Sequence, residues 1–364
     1  MSDATLEELR KRIDAIDERL LELINERASC AVDVAAVKRE LSEAIDEGVD
    51  FFRPDREAQV INRLKSLNQG PLSDDEVGRL IREIMSACLA LEQPLKIAYL
   101  GPEGTFTQSA ALKHFGHSVS TVAMSSIPDV FNSIESGHAN YGLVPVENST
   151  EGVISHTLDM FMDSKLKICG EVEIRVHHHL ASGSQNVSQI KRIYSHQQSF
   201  AQCRRWLDQN FPAIERIPVS SNAEAARLAS IEADAGAICG LPAVEIFGLK
   251  ICFENIEDLS DNTTRFVIIG AQDVGPSGND KTSLLISTKN VPGALLGLLQ
   301  PLADHGISMN KIESRPAQGH KWAYVFFIDI DGHQEDQNVI EALNELQQQA
   351  ALFKILGSYP KASL

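Results

Sequence analysis

Residues 261–270 read DNTTRFVIIG. Asp261-Asn262 is a turn signal, and Phe266-Val267-Ile268-Ile269 closed by Gly270 has the length and β-branched content of a short strand. Two hydroxyls and a guanidinium, on Thr263, Thr264 and Arg265, therefore stand where the chain enters a core. Polar groups held at the end of a buried strand are where open α/β sheets receive ligands. The stretch predicts an α/β domain with a site at its strand ends.

The surrounding residues, 95–271, alternate strand and helix signals. LKIAYLG (95–101) reads as a strand running into a Gly-rich turn and the helix-like TFTQSAALKHF. RIYSH precedes the helical QQSFAQCRRWLDQNF, and GAICG precedes PAVEIFG. Sheets covered by helices follow. GPEGTF lacks the third glycine and the spacing of a dinucleotide fingerprint, and it is not a P-loop. SSIPDVFNSIESGHANYGLVPVEN (125–148) is echoed weakly by SSNAEAARLASIEADAGAICGLPAVE (220–245), which predicts two similar lobes facing a cleft. Three strand ends carry strings of hydrogen-bonding groups: Pro145 to Gly152, Ser195 to Ser199 with Gln202 one turn on, and Asn262 to Arg265. A ligand lying between the lobes would meet all three.

Before this domain, apolar residues recur at Leu6, Leu9, Ile13, Ile16, Leu20, Leu23, Cys30, Val34, Val37 and Leu41, a heptad seam of one long helix. Arg27 breaks the seam, and Arg10 and Lys38 flank it. At ~1.5 Å per residue, Arg27 and Lys38 are about 16 Å apart, within joint reach of a small ligand, whereas Arg10 lies about 25 Å from Arg27. An antiparallel copy of the helix would supply the missing cation, so the pattern predicts a dimer with two shared sites. RPDREAQVINRLKSL (53–67) follows a break at Glu47-Gly48-Val49-Asp50 as a second helix, and Ser73-Asp74-Asp75-Glu76 caps a third that runs to about Leu91.

Beyond a turn-rich linker at 272–281, residues 282–364 read strand, helix, strand, strand, helix, strand. No acid/base or metal cluster shows there, so this is a binding module. The formal charge of −17 argues against nucleic-acid or anionic-membrane partners and makes each local cation informative. No stretch has the ~18 apolar residues of a membrane span. The acidic start MSDATLEELR carries no signal pattern, and the six cysteines are scattered, consistent with reduced thiols in the cytoplasm. His177, His178 and His179 would alternate faces on a strand and are read as structural or solvated.

Three resemblances sharpen this. LRKRIDAIDERLLELINER (9–27), Lys38, DRE (55–57) and the third helix resemble the all-helical chorismate mutase domain over residues 1–93. That resemblance implies that Arg10 of a partner chain, Arg27, Lys38 and Arg56 hold the carboxylates of chorismate. Glu57 would orient a hydroxyl, and Lys38 would stabilise the breaking ether oxygen. Glu92 stands where many relatives have glutamine, and Cys88 where they often have a small hydroxyl residue. A protonated Glu92 with a raised pKa is expected, with mutase activity falling as pH rises.

YLGPEGTFTQ, VPVENSTEG, YSHQQSFAQC and TTRF resemble prephenate dehydratase across residues 95–271. The implied catalytic residue is Thr264, donating a hydrogen bond to the departing hydroxyl, with His196 and Glu147 as titratable groups behind it. Asn148, Ser149, Ser195 and Gln198 are the expected substrate contacts and Thr263 a support. Arg265 is read either as a carboxylate ligand or as a structural ion pair.

VPGALLGLLQPLADHGISMNKIESRP (291–316) resembles the ACT domain that binds phenylalanine in dehydratases. It implies an effector site at Asn290, Gly293, Ala294 and Leu295 together with Glu313, Ser314 and Arg315. The combination resembles a bifunctional chorismate mutase–prephenate dehydratase. That implies an all-α domain, an α/β two-lobed domain like periplasmic binding proteins and an α+β βαββαβ domain. It further implies L-phenylalanine feedback, no cofactor or metal, and a homodimer with a tetramer as the alternative. A two-lobed sensor and a dehydratase preferring arogenate are the competing readings. A dehydrogenase is opposed by the missing dinucleotide motif.

Overall fold

The computed structural model describes residues 5–45, 52–150, 152–184, 186–288, 291–316 and 324–362. The expected break at 47–50, Glu151 and Asn290 lie outside them. The chain forms two compact units: residues 1–53, 60–95 and 115–120 make the first, and 54–59, 96–114 and 121–364 the second.

The first unit is built on α1 (Leu6–Ile45), α3 (Asp74–Glu92) and most of α2 (Pro54–Leu67). Pro54 and the acidic Asp55 and Glu57 sit in the first turn of α2, where a missing N–H costs nothing and negative charge meets the helix dipole. Ser73 Oγ accepts from Glu76 N at 3.2 Å and starts α3. Helices α1 and α3 pack together, burying Ala35 and Cys88. The seam of α1 stays in solvent: Ile13 is 56% exposed and Val37 55%. An apolar face of that length is ordinarily covered.

The second unit contains two lobes and a C-terminal domain. Lobe one is a six-stranded sheet of β1 (Lys96–Leu100), β2 (Ser120–Met124), β3 (Tyr141–Asn148), β4 (Gly152–Val153), β5 (Lys167–Arg175) and β11 (Thr263–Gly270), with α4 (Phe106–Phe115), α5 (Ile127–Glu135) and α6 (Ser155–Asp163). Lobe two is a five-stranded sheet of β6 (His179–Ser182), β7 (Arg192–His196), β8 (Glu215–Val219), β9 (Ala235–Cys239) and β10 (Lys250–Phe253). It carries α7 (Gln197–Gln202), α8 (Arg204–Asn210), α9 (Asn222–Ile231) and α10 (Leu241–Ile246). The chain crosses between lobes twice, after β5 and before β11, and Val176 N bonds Asn262 O at 2.8 Å where the crossings meet.

The internal echo corresponds to two matching cap–helix–strand units. Ser126 caps α5 ahead of β3 and Ser221 caps α9 ahead of β9. The single helix expected at 197–211 is instead two, α7 and α8. The Asp258 carboxylate accepts from Arg205 N at 2.9 Å and Trp206 N at 3.1 Å, so a new helix start is capped inside the run.

The C-terminal domain is an antiparallel sheet ordered β13 (Met309–Pro316), β14 (Tyr324–Asp331), β12 (Asp280–Ser287), β15 (Leu352–Pro360), backed by α11 (Ala294–Asp304) and α12 (Gln337–Gln349). It shares a core with lobe one: Leu285, Phe327, Leu356 and Tyr359 join Phe131, Phe161 and Val267 in one apolar cluster. Contact is close enough that a Cβ on Gly357 would lie 2.2 Å from the Ile168 carbonyl oxygen.

Candidate active sites

A cavity of about 240 Å³ opens between the two lobes of the second unit. Strand β11 forms part of its lining. Alternation on β11 sends Thr264 into the cavity, where it meets Asn148, its cross-strand partner on β3. Asn148 Nδ2 donates to Thr264 Oγ at 2.8 Å. The Thr264 oxygen therefore already accepts, and its own hydrogen is available to a substrate.

The direction of that bond is fixed by the backbone. Thr150 N donates to Asn148 Oδ1 at 3.0 Å, so the other amide atom of Asn148 must be the nitrogen. Asn148 Nδ2 also donates to Asn262 Oδ1, and Asn262 Nδ2 to Gln202 Oε1, at 2.9 and 3.0 Å. Gln202 Nε2 donates to Thr150 Oγ1 at 3.2 Å, and Thr150 Oγ1 returns the bond to Asn148 Oδ1 at 2.6 Å. Four side chains from both lobes thus close a ring in which every bond runs the same way round. Such networks are stiff when fully satisfied, and this one holds Thr264 as a donor.

His178 hangs on the ring. Its Nε2 lies 2.8 Å from Gln202 Oε1, an oxygen that can only accept, so Nε2 carries the proton. The ring is buried, which lowers its pKa and keeps it neutral, and it stands edge-on to Phe106 with centroids 5.8 Å apart. His196 also lines the cavity, and its Nδ1 accepts from Gln198 N at 3.4 Å. Gln198, Ser199 and Asn222 complete this wall. On the other side Gly104 turns the chain at φ +83°, with Ala243 Cα only 3.3 Å from where a side chain would begin.

Several expected contacts lie elsewhere. Ser195 is fully buried and donates to Ile238 O and Asn222 Oδ1, so it orients Asn222 rather than meeting the cavity. Ser149 and Thr263 stitch the strand ends: Ser149 Oγ accepts from Thr263 N at 2.9 Å, and both hydroxyls donate to Asp261 O. Arg265 and Glu147 project from the opposite face of the sheet. Arg265 pairs with Glu171 at 2.8 Å and Asp329 at 2.6 Å, and Glu147 with Lys311 at 2.6 Å. Arg265 is thus a structural ion pair, and Glu147 is no proton source for the cleft.

His178 and Asn222 carry no local signal that marks them as site residues. By sequence His178 belongs to a histidine run that alternates faces along one strand. In the structure His177 and His178 lie in a lobe crossing and His179 opens β6, and each ring has its own partner: Glu257 for His177, Gln202 for His178 and Asn255 N for His179.

In the first unit, Arg27 and Lys38 on α1 and Glu92 at the end of α3 form an electrostatic cluster. Burial raises the Glu92 pKa, against the opposing pull of Lys38, Arg27 and Arg39. Arg39 Nη2 donates to the Glu92 carbonyl at 2.7 Å, pinning that helix end, and Cys88 is buried one turn before. Arg10 lies 17 residues before Arg27 on the same helix and is exposed. Arg56 and Glu57 occupy the first turn of α2.

In the C-terminal domain, Gly293 has φ +81° and caps α11, which begins with Ala294 and Leu295. Glu313, Ser314 and Arg315 lie on the edge strand β13. Arg315, expected at an effector site, instead reaches lobe one, where it bonds Ser155 and Asp159, the latter at 2.7 Å. Alternation puts it on the same face of β13 as Lys311.

A helical unit bearing cations, a two-lobed cleft domain and a βαββαβ domain sharing the cleft domain's core together define a multidomain enzyme. Comparison with known proteins gives the same partition. The chain matches chorismate mutase type II over residues 9–93, prephenate dehydratase over 97–274 and the ACT domain over 282–348. A bifunctional chorismate mutase/prephenate dehydratase of Pseudomonas aeruginosa is 54% identical over 362 residues, covering 99% of this chain and 98% of that protein. The Escherichia coli K12 protein of the same description is 31% identical, covering 100% and 98%. A prephenate dehydratase of Arthrobacter aurescens, solved in complex with L-Phe, aligns with a TM-score of 0.67 at 34% identity, covering 73% of this chain and 90% of that one. The chain belongs to the bifunctional chorismate mutase/prephenate dehydratase family.

Proposed function

We propose that the chain converts chorismate to prephenate in its helical domain and prephenate to phenylpyruvate in its two-lobed cleft, with L-phenylalanine as the effector of its C-terminal domain. The observation that carries the second reaction is the polarised ring ending at Thr264. Prephenate loses CO2 and its ring hydroxyl together. The electrons of the breaking C–C bond enter the ring, which becomes aromatic as the C–O bond opens. The enzyme's task is to help the hydroxyl depart, and a fixed O–H aimed at the leaving oxygen does so without titrating. His196 and the amides of Gln198 and Asn222 orient the substrate, and His178 braces Gln202 of the ring. Purified chain supplied with chorismate will release prephenate and then phenylpyruvate, and added L-phenylalanine will slow only the second product. Failure to turn over prephenate refutes the reading.

Chorismate rearranges within one molecule, so the helical domain has to clamp a reactive conformer and meet charge on the ether oxygen. Arg27, Lys38, Arg56 and Arg10 of the partner subunit hold its carboxylates, with Glu57 on a hydroxyl. The exposed seam of α1 and the position of Arg10, out of reach of Arg27, support the dimer this requires. No described helix is long and apolar enough to cross a membrane, and the cytoplasm is the proposed location.

Glu92 gives this domain its pH dependence. A carboxylate would repel the developing oxyanion, whereas a carboxylic acid donates to it. Burial already favours the acid form, and a bound dianion raises the pKa further. The acid is populated below the raised pKa and lost above it, so mutase turnover will fall as pH rises. Glu92→Gln will flatten the profile and improve alkaline turnover. A wild-type mutase profile that is flat through mildly alkaline pH contradicts this.

A further inference from the structure

Thr264 and Asn148 are one cross-strand pair of the lobe-one sheet, and Arg265 and Glu147 are the next. The first pair faces the cleft and the second the C-terminal domain. Both charges of the second pair are met there: Arg265 Nη1 lies 2.6 Å from Asp329 Oδ2, and Lys311 Nζ lies 2.6 Å from Glu147 Oε2. Asp329 and Lys311 are themselves cross-strand partners, on β14 and β13. Two adjacent opposite charges on one sheet thus dock onto two adjacent opposite charges on another. Arg265 and Asp329 are only 12% and 11% exposed, and Ser283 and Tyr359 add hydrogen bonds to the pair.

We propose that this four-charge clasp makes Arg265, Glu147, Asp329 and Lys311 positioning residues for Thr264 and Asn148, and that it is the route by which the C-terminal domain controls the dehydratase cleft. A donor works on a leaving group only when held within about 0.5 Å of its place. In a strand, one peptide link separates a residue from its neighbour on the other face. A displacement of Arg265 or Glu147 therefore moves Thr264 or Asn148. The clasp is also close to the proposed effector segment, since Lys311 lies two residues before Glu313 on β13. Removing Lys311 takes from Glu147 the counter-charge that docks it, and the strand end is then free to shift, whereas Arg265 keeps Glu171 when Asp329 is lost.

The inference rests on the dehydratase and effector readings above, and its test is separable from theirs. In the full chain, Lys311→Met and Glu147→Gln will each lower dehydratase kcat about tenfold with KM little changed. The double variant will be no worse than either single one, because both break the same pair. Lys311→Arg will retain most of the activity. Inhibition by L-phenylalanine will weaken in step with the loss of kcat, while mutase turnover of the same molecules, a check on folding, stays at the wild-type level. If wild-type chain turns over prephenate and responds to phenylalanine but the Lys311→Met variant does both equally well, the clasp is only a docking contact and the proposal fails. Additive losses in the double variant overturn it too. If the wild type lacks dehydratase activity, the functional reading falls first.

Discussion

Thr264→Val will cut prephenate dehydration about 10²–10³-fold, a loss of ~2.7–4 kcal/mol of transition-state stabilisation, which is the scale for removing one fixed donor to a developing oxyanion. The variant keeps the β-branched shape that the strand needs and removes only the hydroxyl. Asn148 Nδ2 then loses one of its two acceptors, but its bond to Asn262 persists, so the four-membered ring survives. The loss will appear in kcat, since the donor acts on the leaving oxygen and not on the carboxylates that hold the ground state. Mutase turnover will be unchanged. Thr263→Val will cost far less, because Thr263 Oγ bonds only the Asp261 carbonyl outside the cleft.

Arg27→Ala and Arg10→Ala will each lower chorismate rearrangement by a hundredfold or more, on the scale of ~10² for a misplaced substrate, yet equal mixing of the two inactive chains will restore activity. The proposed shared site takes Arg27 from one subunit and Arg10 from the other. In a mixed dimer one site holds both mutations and the other holds neither. Half the dimers at equilibrium are mixed, so about a quarter of wild-type mutase activity returns. If each site were built within one chain, no mixture would recover. The recovery must follow subunit exchange, and dehydratase activity will stay level throughout as the internal reference.

The legibility of the chain in its sequence varied with how local the signal was. Periodicity gave the long helix and its exposed seam because a heptad pattern is read from one segment alone. Turn residues and apolar runs gave the strands of the cleft domain and the βαββαβ order, and the polar residues at β3, β7 and β11 pointed to the strand ends. The side of the sheet each residue serves was harder to see. Thr264 and Arg265 are neighbours, and only register with β3 and the arrival of Asp329 from the third domain show that one faces the cleft and the other an ion pair. Ser195 looked like a contact because it opens a helix, but its hydroxyl is consumed by Asn222 and Ile238 O, which are 27 and 43 residues away. His178 was hidden because its partner, Gln202, lies 24 residues further along the chain. Arg315 reaches Asp159, 156 residues before it. In each case the missing information was a long-range pairing that no local pattern encodes.

The central claim is that one chain carries two successive reactions and that the second depends on the Thr264 hydroxyl. Its most direct test is product analysis of purified wild-type and Thr264→Val chains supplied with chorismate alone. Wild type is predicted to yield phenylpyruvate. The variant is predicted to consume chorismate at the wild-type rate and stop at prephenate, which accumulates in proportion to chorismate lost. Phenylpyruvate formed by the variant at the wild-type rate would contradict the assignment.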